Sequence, residues 1–167
     1  SSAASDVYKR QGLPIDFKPH KIYYATVIEE ADKGNDAILP LLAQYKNPND
    51  RQRINKLLKD NLKKAGECSY EACEAISNWN DPAFEWYAKA ACQATIKQEY
   101  YDADEVLQLL CAYPAPWSYQ ILKKLLTQKG DYSYSDTAKD YLTELYKTHP
   151  VPPIFKPLYD RYVARKK

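Results

Sequence analysis

The side chains of this chain that could perform acid–base chemistry are two histidines and a few carboxylate clusters, and their spacing matches no catalytic motif. His20 and His149 each lie beside proline-rich sequence, and neither is near a serine or cysteine in a recognised nucleophile motif. A histidine general base needs an oriented partner and a reachable nucleophile. The carboxylates within residues 29–32 and 102–105 are explained by solvated helix faces and first-turn charges. We therefore expect a chain that is not an enzyme.

Four cysteines and four glycines provide no recognisable metal or cofactor motif. Cys68 and Cys73 are separated by four residues and no CxxC pair occurs, whereas tetrahedral zinc sites usually have closer paired ligands. The glycines form neither a phosphate-binding loop nor a dinucleotide fingerprint. Cys92 and Cys111 are predicted on opposite helices of one hairpin, so a disulfide between them stays open. We favour buried thiols, because cysteine is among the most buried residue types, and expect no metal and no cofactor.

One basic segment, residues 51–64 (RQRINKLLKDNLKK), is the best candidate for an anionic partner. It carries six basic residues against the single acid Asp60. The basic residues alternate with an apolar stripe, as on a solvated helix face, and the whole chain has a net charge of only +2. This favours a face that meets an acidic protein over one that binds nucleic acid phosphates. The candidate partner-binding residues here are Arg51, Arg53, Lys56 and Lys63.

Aromatic side chains form the second candidate contact surface, since the chain has 16 tyrosines but only three phenylalanines. Tyrosine is part apolar and part polar, which suits both protein interfaces and the wet edges of packed helices. Packing between neighbouring repeats is an equally good explanation for any single residue of this group. The predicted partner-binding residues are exposed aromatics near hairpin ends: Tyr23, Trp79, Tyr100, Tyr101, Tyr132 and Tyr134.

The elements that would position these residues are marked by two interleaved series of glycines and prolines. Gly34, Gly66 and Gly130 are 32 and then 64 residues apart, with the missing member expected near Gln98. The prolines recur in NPND, NDP, YPAPW and HPVPP at intervals in the mid-thirties. Between them lie segments of about a dozen residues with apolar residues at helical spacing. The predicted elements are helical hairpins at 21–47, 51–79, 83–113 and 117–148, and a last helix at 152–165.

A hairpin of two short helices cannot bury its apolar face alone, whereas stacked hairpins can. The sequence therefore predicts an all-α fold, a short α-solenoid of about four helical hairpins plus a terminal helix, in one domain over residues 12–167. An irregular helical bundle is the alternative. No apolar run approaches the roughly 18 residues of a membrane span. The first eleven residues, SSAASDVYKRQ, match the translation of a transposon-type sequencing adapter, so we expect them not to be native and exclude them from fold reasoning.

Residues 118–153 resemble a pentatricopeptide repeat, with an aromatic start, an apolar first helix, a glycine turn, an alanine-bearing second helix and a closing proline. Residues 23–46 look like a worn second copy, and 86–116 and 51–82 are weaker ones. A repeat in the mid-thirties is also typical of tetratricopeptide-like solenoids. The resemblance implies a scaffold that binds either RNA or protein.

The resemblance favours a protein partner. RNA-reading members of the family address one base per repeat through two or three side chains, and the first is normally Asn, Ser or Thr. The matching positions here are Ala25, Ala88 and Gln120. Among protein-binding members, the chain is similar to the pentatricopeptide-like subunits on the catalytic head of the euglenozoan mitochondrial ATP synthase. The resemblance thus implies a structural subunit of a mitochondrial matrix complex, with protein subunits as partners and RNA binding as the alternative.

Overall fold

The computed structural model describes residues 12–14 and 16–164, so the adapter prediction for residues 1–11 lies outside the described residues. No strand occurs within these ranges, and the predicted all-α fold is confirmed. None of the described helices is long and apolar enough to cross a membrane. The helices are α1 Lys21–Asp32, α2 Leu39–Gln44, α3 Arg51–Ala65, α4 Tyr70–Trp79, α5 Glu85–Thr95, α6 Ala103–Ala112, α7 Pro116–Thr127, α8 Ser135–Leu145 and α9 Lys156–Leu158, which continues as the π-helical segment Tyr159–Val163.

Each predicted hairpin range corresponds to two of these helices, and a proline begins the first turn before or within several of them. Short 3-10 turns at Asp36–Ile38, Pro48–Asp50, Pro82–Phe84 and Pro153–Phe155 precede α2, α3, α5 and α9. Proline suits the first position of such a turn, because its φ is already helical and its missing N–H has no intrahelical acceptor there. Asp81 caps the turn that begins at Pro82, because its carboxylate accepts from the Ala83 N–H at 2.9 Å.

A left-handed residue ends two helices of the chain, α3 and α4. Gly66 caps α3 with φ 71°, and its N–H donates to the Leu62 carbonyl. Asn80 has φ 53° after α4 and donates to the Ile76 carbonyl. Glycine and asparagine tolerate this conformation, so both chain reversals are fixed by local sequence.

The described chain divides into two compact units, one that ends at Ala94 and one that begins at Thr95. In the first unit α2 packs extensively on α4, and α1 packs on α3. First helices thus contact first helices and second helices contact second helices, as expected between neighbouring hairpins. The core includes Ile38, Leu39, Leu42, Ile54, Leu57, Leu58, Ile76 and Phe84.

In the second unit α7 packs on both α6 and α8, α6 also packs on α8, and α8 contacts the π-helical segment. The predicted apolar faces are buried here, with Leu107, Leu110, Leu122, Leu125, Ala138 and Leu142 at 2% exposure or less. Stacking of hairpins along the whole chain, and the single domain over residues 12–167, stay predictions.

Candidate functional site

Two loops of the second unit bring four of the six predicted aromatics together, and we call Tyr100, Tyr101, Tyr132 and Tyr134 the tyrosine cluster. The loops are residues 96–102, between α5 and α6, and residues 128–134, between α7 and α8. Tyr100 and Tyr132 are 58% and 69% exposed. Their rings meet edge to face, with centroids 5.5 Å apart and an interplanar angle of 88°. The cluster therefore presents a preformed aromatic pair to solvent.

The other two tyrosines fix this pair to the fold. The rings of Tyr101 and Tyr134 are 4.2 Å apart, and the Tyr101 N–H donates to the Tyr134 hydroxyl at 3.0 Å. Burial and the neighbouring Tyr134 raise the pKa of Tyr101 to about 12. Each loop thus contributes one half-buried ring and one exposed ring, and the half-buried pair determines where the exposed pair lies.

The loop that carries Tyr132 is ordered by its own hydrogen bonds. The Ser133 hydroxyl donates to the Gln128 carbonyl at 2.8 Å, and the Tyr134 N–H donates to the Gln128 side-chain oxygen at 3.2 Å. Because these bonds span the turn at Gly130, the loop is ordered before any partner arrives. Binding to a preordered aromatic surface costs little conformational entropy.

The structure separates the basic residues of α3 into two groups. The first group is paired with carboxylates of the same unit. The Arg51 guanidinium makes a fork-shaped contact to Asp81, with its closest nitrogen 2.7 Å from a carboxylate oxygen, and lowers the pKa of that carboxyl. The Arg53 guanidinium contacts both Asp32 and Asp50, at 2.7 and 2.6 Å. The two predicted arginines therefore act in the fold as ion-pair partners.

The second group remains directed to solvent. The side chains of Lys56, Lys59 and Lys63 are exposed, and none of the ion pairs formed by the described residues involves them, whereas Lys64 pairs with Asp36 at 3.1 Å. Lys56 and Lys63 were among the predicted partner-binding residues, and their position leaves them available to an anionic partner.

Two further predicted aromatics are half-buried packing residues. Tyr23 packs on Phe17 with ring centroids 5.6 Å apart. Trp79 packs edge-on against Phe84 at 5.1 Å and lies beneath the Arg51 guanidinium at 6.0 Å. In both cases part of the ring is used within the first unit, as expected for packing between helices.

Two exposed aromatics were missed by the sequence reasoning: Tyr70, 50% exposed at the start of α4, and Trp86. Trp86 is 40% exposed in the first turn of α5, and its indole N–H donates to the Asn55 side chain at 2.7 Å. The signal was available in the helical spacing: the buried face of α5 comprises Tyr87, Ala88, Ala91 and Cys92, and Trp86 lies off that face.

The histidines and one of the three family-matched reading positions are explained by the fold, whereas the other two positions, Ala25 and Gln120, are exposed. The His20 ring accepts from the Ile22 N–H at 3.1 Å and so caps α1, and His149 follows α8 with its ring 2.9 Å from the Thr148 hydroxyl. Ala88 is fully buried, so it cannot contact a base. No group of three His, Cys, Asp or Glu side chains among the described residues could hold a metal ion.

The four cysteines are free thiols, so Cys92 and Cys111 do not form the disulfide that the sequence left open. Cys68, Cys73 and Cys92 are buried in the first unit. Cys92 is hydrogen-bonded to Cys68, and this contact together with burial raises its pKa well above the ordinary value. Burial also raises the pKa of Cys111, to about 11. The thiolate, which is the reactive form, is therefore disfavoured at neutral pH.

We expect the four thiols to react slowly with a thiol reagent in the native protein. An increase of two units in pKa, as for Cys111, lowers the thiolate fraction about 100-fold at neutral pH. Absorbance with an aromatic disulfide reagent at pH 7.5 would measure this. The expected result is rapid reaction of all four thiols in denaturant. Without denaturant, Cys111 should react about 100-fold more slowly, and the three buried thiols should also react slowly because the reagent cannot reach them. Rapid native reaction of any thiol would show that it is exposed as thiolate.

No family model matches the sequence, and neither a curated protein nor a solved structure matches the chain.

Proposed function

We propose that this chain is a non-catalytic helical-repeat subunit of a larger assembly and that it binds partner proteins through the tyrosine cluster. The observation that carries the proposal is the pair of exposed rings, Tyr100 and Tyr132, fixed on the half-buried pair behind them. Tyrosine is enriched among the residues that dominate binding energy at protein interfaces. A preordered aromatic pair of this kind has the composition and the rigidity of an interface centre.

The resemblance to pentatricopeptide repeats supports a more specific form of this proposal. In it, the assembly is a complex of the mitochondrial matrix, with the ATP synthase as the leading candidate. Two features support a protein partner over RNA. The positions that would read bases hold alanine or glutamine, and both arginines of α3 are paired with carboxylates.

The double variant Tyr100→Ala/Tyr132→Ala is expected to lose its partners without losing its fold. Each truncated interface tyrosine costs about 2 kcal/mol of binding energy when it lies at an interface centre, so recovery of co-purifying chains should fall at least about tenfold. The measurement is affinity purification of the tagged chain from its source cells, followed by mass spectrometry. Circular dichroism checks that the helices persist.

The matched control is Tyr70→Ala, because Tyr70 is also a half-exposed tyrosine, at 50%, and lies outside the cluster. We expect it to recover the same chains as the unmodified protein. Nuclease treatment of the extract separates the RNA-binding alternative, since partners held through RNA would be lost. Equal recovery with the double variant, or the absence of any specific co-purifying chain, would contradict the proposal.

A further inference from the structure

The lysines of α3 that are left unpaired lie on one face of that helix. Lys56, Lys59 and Lys63 are three and four residues apart, a spacing that places side chains on the same face of an α-helix. The fold neutralises Arg51, Arg53 and Lys64 with carboxylates and leaves this row directed to solvent. Lys56 makes no ion pair with Asp32, but its positive charge helps to lower the pKa of that carboxyl. The row is thus a local concentration of positive charge on a chain whose overall charge is small.

An exposed tryptophan lies beside this row in the same unit. Asn55, Lys56, Lys59 and Trp86 line one shallow depression between α3 and the first turn of α5. The hydrogen bond from the Trp86 indole to Asn55 and the perpendicular contact with the buried Tyr87 ring, at 6.0 Å, fix the orientation of the indole. The depression therefore combines an apolar floor of fixed shape with cations at its edge.

We propose that this Trp86–lysine surface, formed by Asn55, Lys56, Lys59, Lys63 and Trp86, binds an acidic segment of a partner protein. An apolar side chain of that segment packs on the Trp86 ring, and flanking carboxylates pair with the lysines. The inference rests on the proposed protein-binding function and adds the chemistry of the partner. Charge complementarity of this kind increases the association rate and excludes basic or neutral competitors.

An acidic protein segment fits the surface better than a nucleic acid does. Arginine is the side chain best suited to bidentate phosphate contacts, and both arginines of α3 are engaged by carboxylates. Binding of single strands normally uses a basic groove with several stacking aromatics, whereas this depression has one. Asp60, exposed on the same helix and between Lys59 and Lys63, would repel a continuous phosphate backbone, while a peptide can place a neutral residue opposite it.

A titration followed by nuclear magnetic resonance tests the surface directly in the 167-residue chain. The probe is a synthetic peptide of glutamates around two central leucines, and the control peptide has glutamine in place of each glutamate. Trp79, Trp86 and Trp117 give separate indole N–H signals, and Trp86→Phe identifies the Trp86 signal. We expect the glutamate peptide to shift the Trp86 signal and to leave that of Trp79 in place, and we expect the glutamine peptide to shift neither.

Charge-reversal variants distinguish this surface from general attraction to a basic protein. Lys56→Glu/Lys59→Glu should weaken peptide binding about tenfold or more. Lys18→Glu/Lys123→Glu makes the same change in net charge at exposed lysines outside the surface and should keep the affinity within about twofold. Trp86→Ala should weaken binding of the leucine-containing peptide, and circular dichroism verifies that each variant is folded.

Three results would overturn the inference. The first is that the glutamate peptide does not shift the Trp86 signal. The second is that the two double lysine variants weaken peptide binding equally. The third is that polyuridylate binds to the same lysines more tightly than the glutamate peptide does. The last result would assign the surface to nucleic acid. If the peptide does not bind but partner proteins are still recovered and depend on Tyr100 and Tyr132, only the Trp86–lysine surface is ruled out. If the peptide does not bind and no partner is recovered, the proposed function is ruled out as well.

Discussion

Replacing Phe84 with alanine is expected to lower the free energy of unfolding by about 3–5 kcal/mol, the usual cost of truncating a buried phenylalanine. Phe84 ends the Pro82–Phe84 turn, is fully buried and packs edge-on against Trp79. Its ring is packed at the connection between the end of α4 and the start of α5. Its removal leaves a cavity that the proline-started turn cannot close, because Asp81 holds the turn through the Ala83 N–H and the Arg51 guanidinium.

The measurement is denaturant unfolding followed by circular dichroism, and the matched control is Phe84→Leu. Leucine keeps most of the apolar volume, so a loss below about 1.5 kcal/mol is expected for it. A loss from Phe84→Ala no larger than that from Phe84→Leu would show that this position is not close-packed. Phe84→Ala also disturbs the start of α5, where Trp86 lies. Binding of the glutamate peptide to the Trp86–lysine surface should therefore weaken in this variant.

Raising the pH above 10 is expected to unfold the protein. Burial, with Cys73 and Cys68 nearby, raises the pKa of Tyr87 from its ordinary value of 10.0. Burial likewise raises the pKa of Tyr146, and it raises that of Tyr141 to about 12. These phenols ionise more easily in the unfolded chain than in the folded one. The stability they confer is therefore fully present below pH 10 and is lost as the pH rises toward the raised values.

The slope of this loss has a physical limit. A group that ionises only after unfolding removes about 1.4 kcal/mol of stability for each pH unit above its unfolded pKa, and Tyr87 is buried enough to approach that value. The partly exposed tyrosines add smaller effects of the same sign. The part of the tyrosinate absorbance that comes from the buried phenols should appear together with the loss of the circular dichroism signal, both recorded from pH 8 upward.

Tyr87→Phe is the variant that checks the assignment, because phenylalanine keeps the ring and cannot ionise. Its unfolding transition should shift to higher pH, while Tyr70→Phe, at an exposed tyrosine, should leave the transition in place. An absorbance change that Tyr87→Phe removes and that occurs with the helical signal unchanged would show that this buried phenol reaches solvent without unfolding.

The two candidate surfaces belong to different units and can be tested independently. The tyrosine cluster lies in the unit after Ala94, and the Trp86–lysine surface lies in the unit before Thr95. Variants in one unit therefore serve as controls for the other. A partner that requires both would lose affinity with either set of variants, and the losses would add if the surfaces act separately.

Most of the helical structure follows from local sequence. Apolar residues at helical spacing mark the buried faces of α3, α6, α7 and α8. Pro48, Pro82 and Pro116 each begin a helical turn, and Gly66 ends α3. These features depend on backbone preferences of single residues, which act in the unfolded chain as they do in the folded one. Helix positions were therefore predictable to within a few residues.

The use of each polar and aromatic residue depended on contacts distant in sequence. Residues 51–64 contain six basic residues that the sequence does not distinguish, yet three of them are paired with carboxylates. Arg51 pairs with Asp81, Arg53 with Asp32 and Lys64 with Asp36, whereas Lys56, Lys59 and Lys63 form no ion pair among the described residues. Likewise, Tyr23 and Tyr132 are both tyrosines beside a loop, but Tyr23 packs on Phe17 and Tyr132 lies in solvent.

The sequence by itself determined an all-α chain, the positions of its helices and the absence of a local catalytic motif. Only the tertiary structure decided which basic residues are neutralised, that Tyr100 and Tyr132 form one exposed pair, and that Trp86 lies beside Lys56 and Lys59. The physical reason is that these two kinds of interaction act over different distances along the sequence. Helix propensity and capping act over a few residues, whereas ion pairing and ring packing join side chains about 30 positions apart in the sequence, as with Arg51 and Asp81.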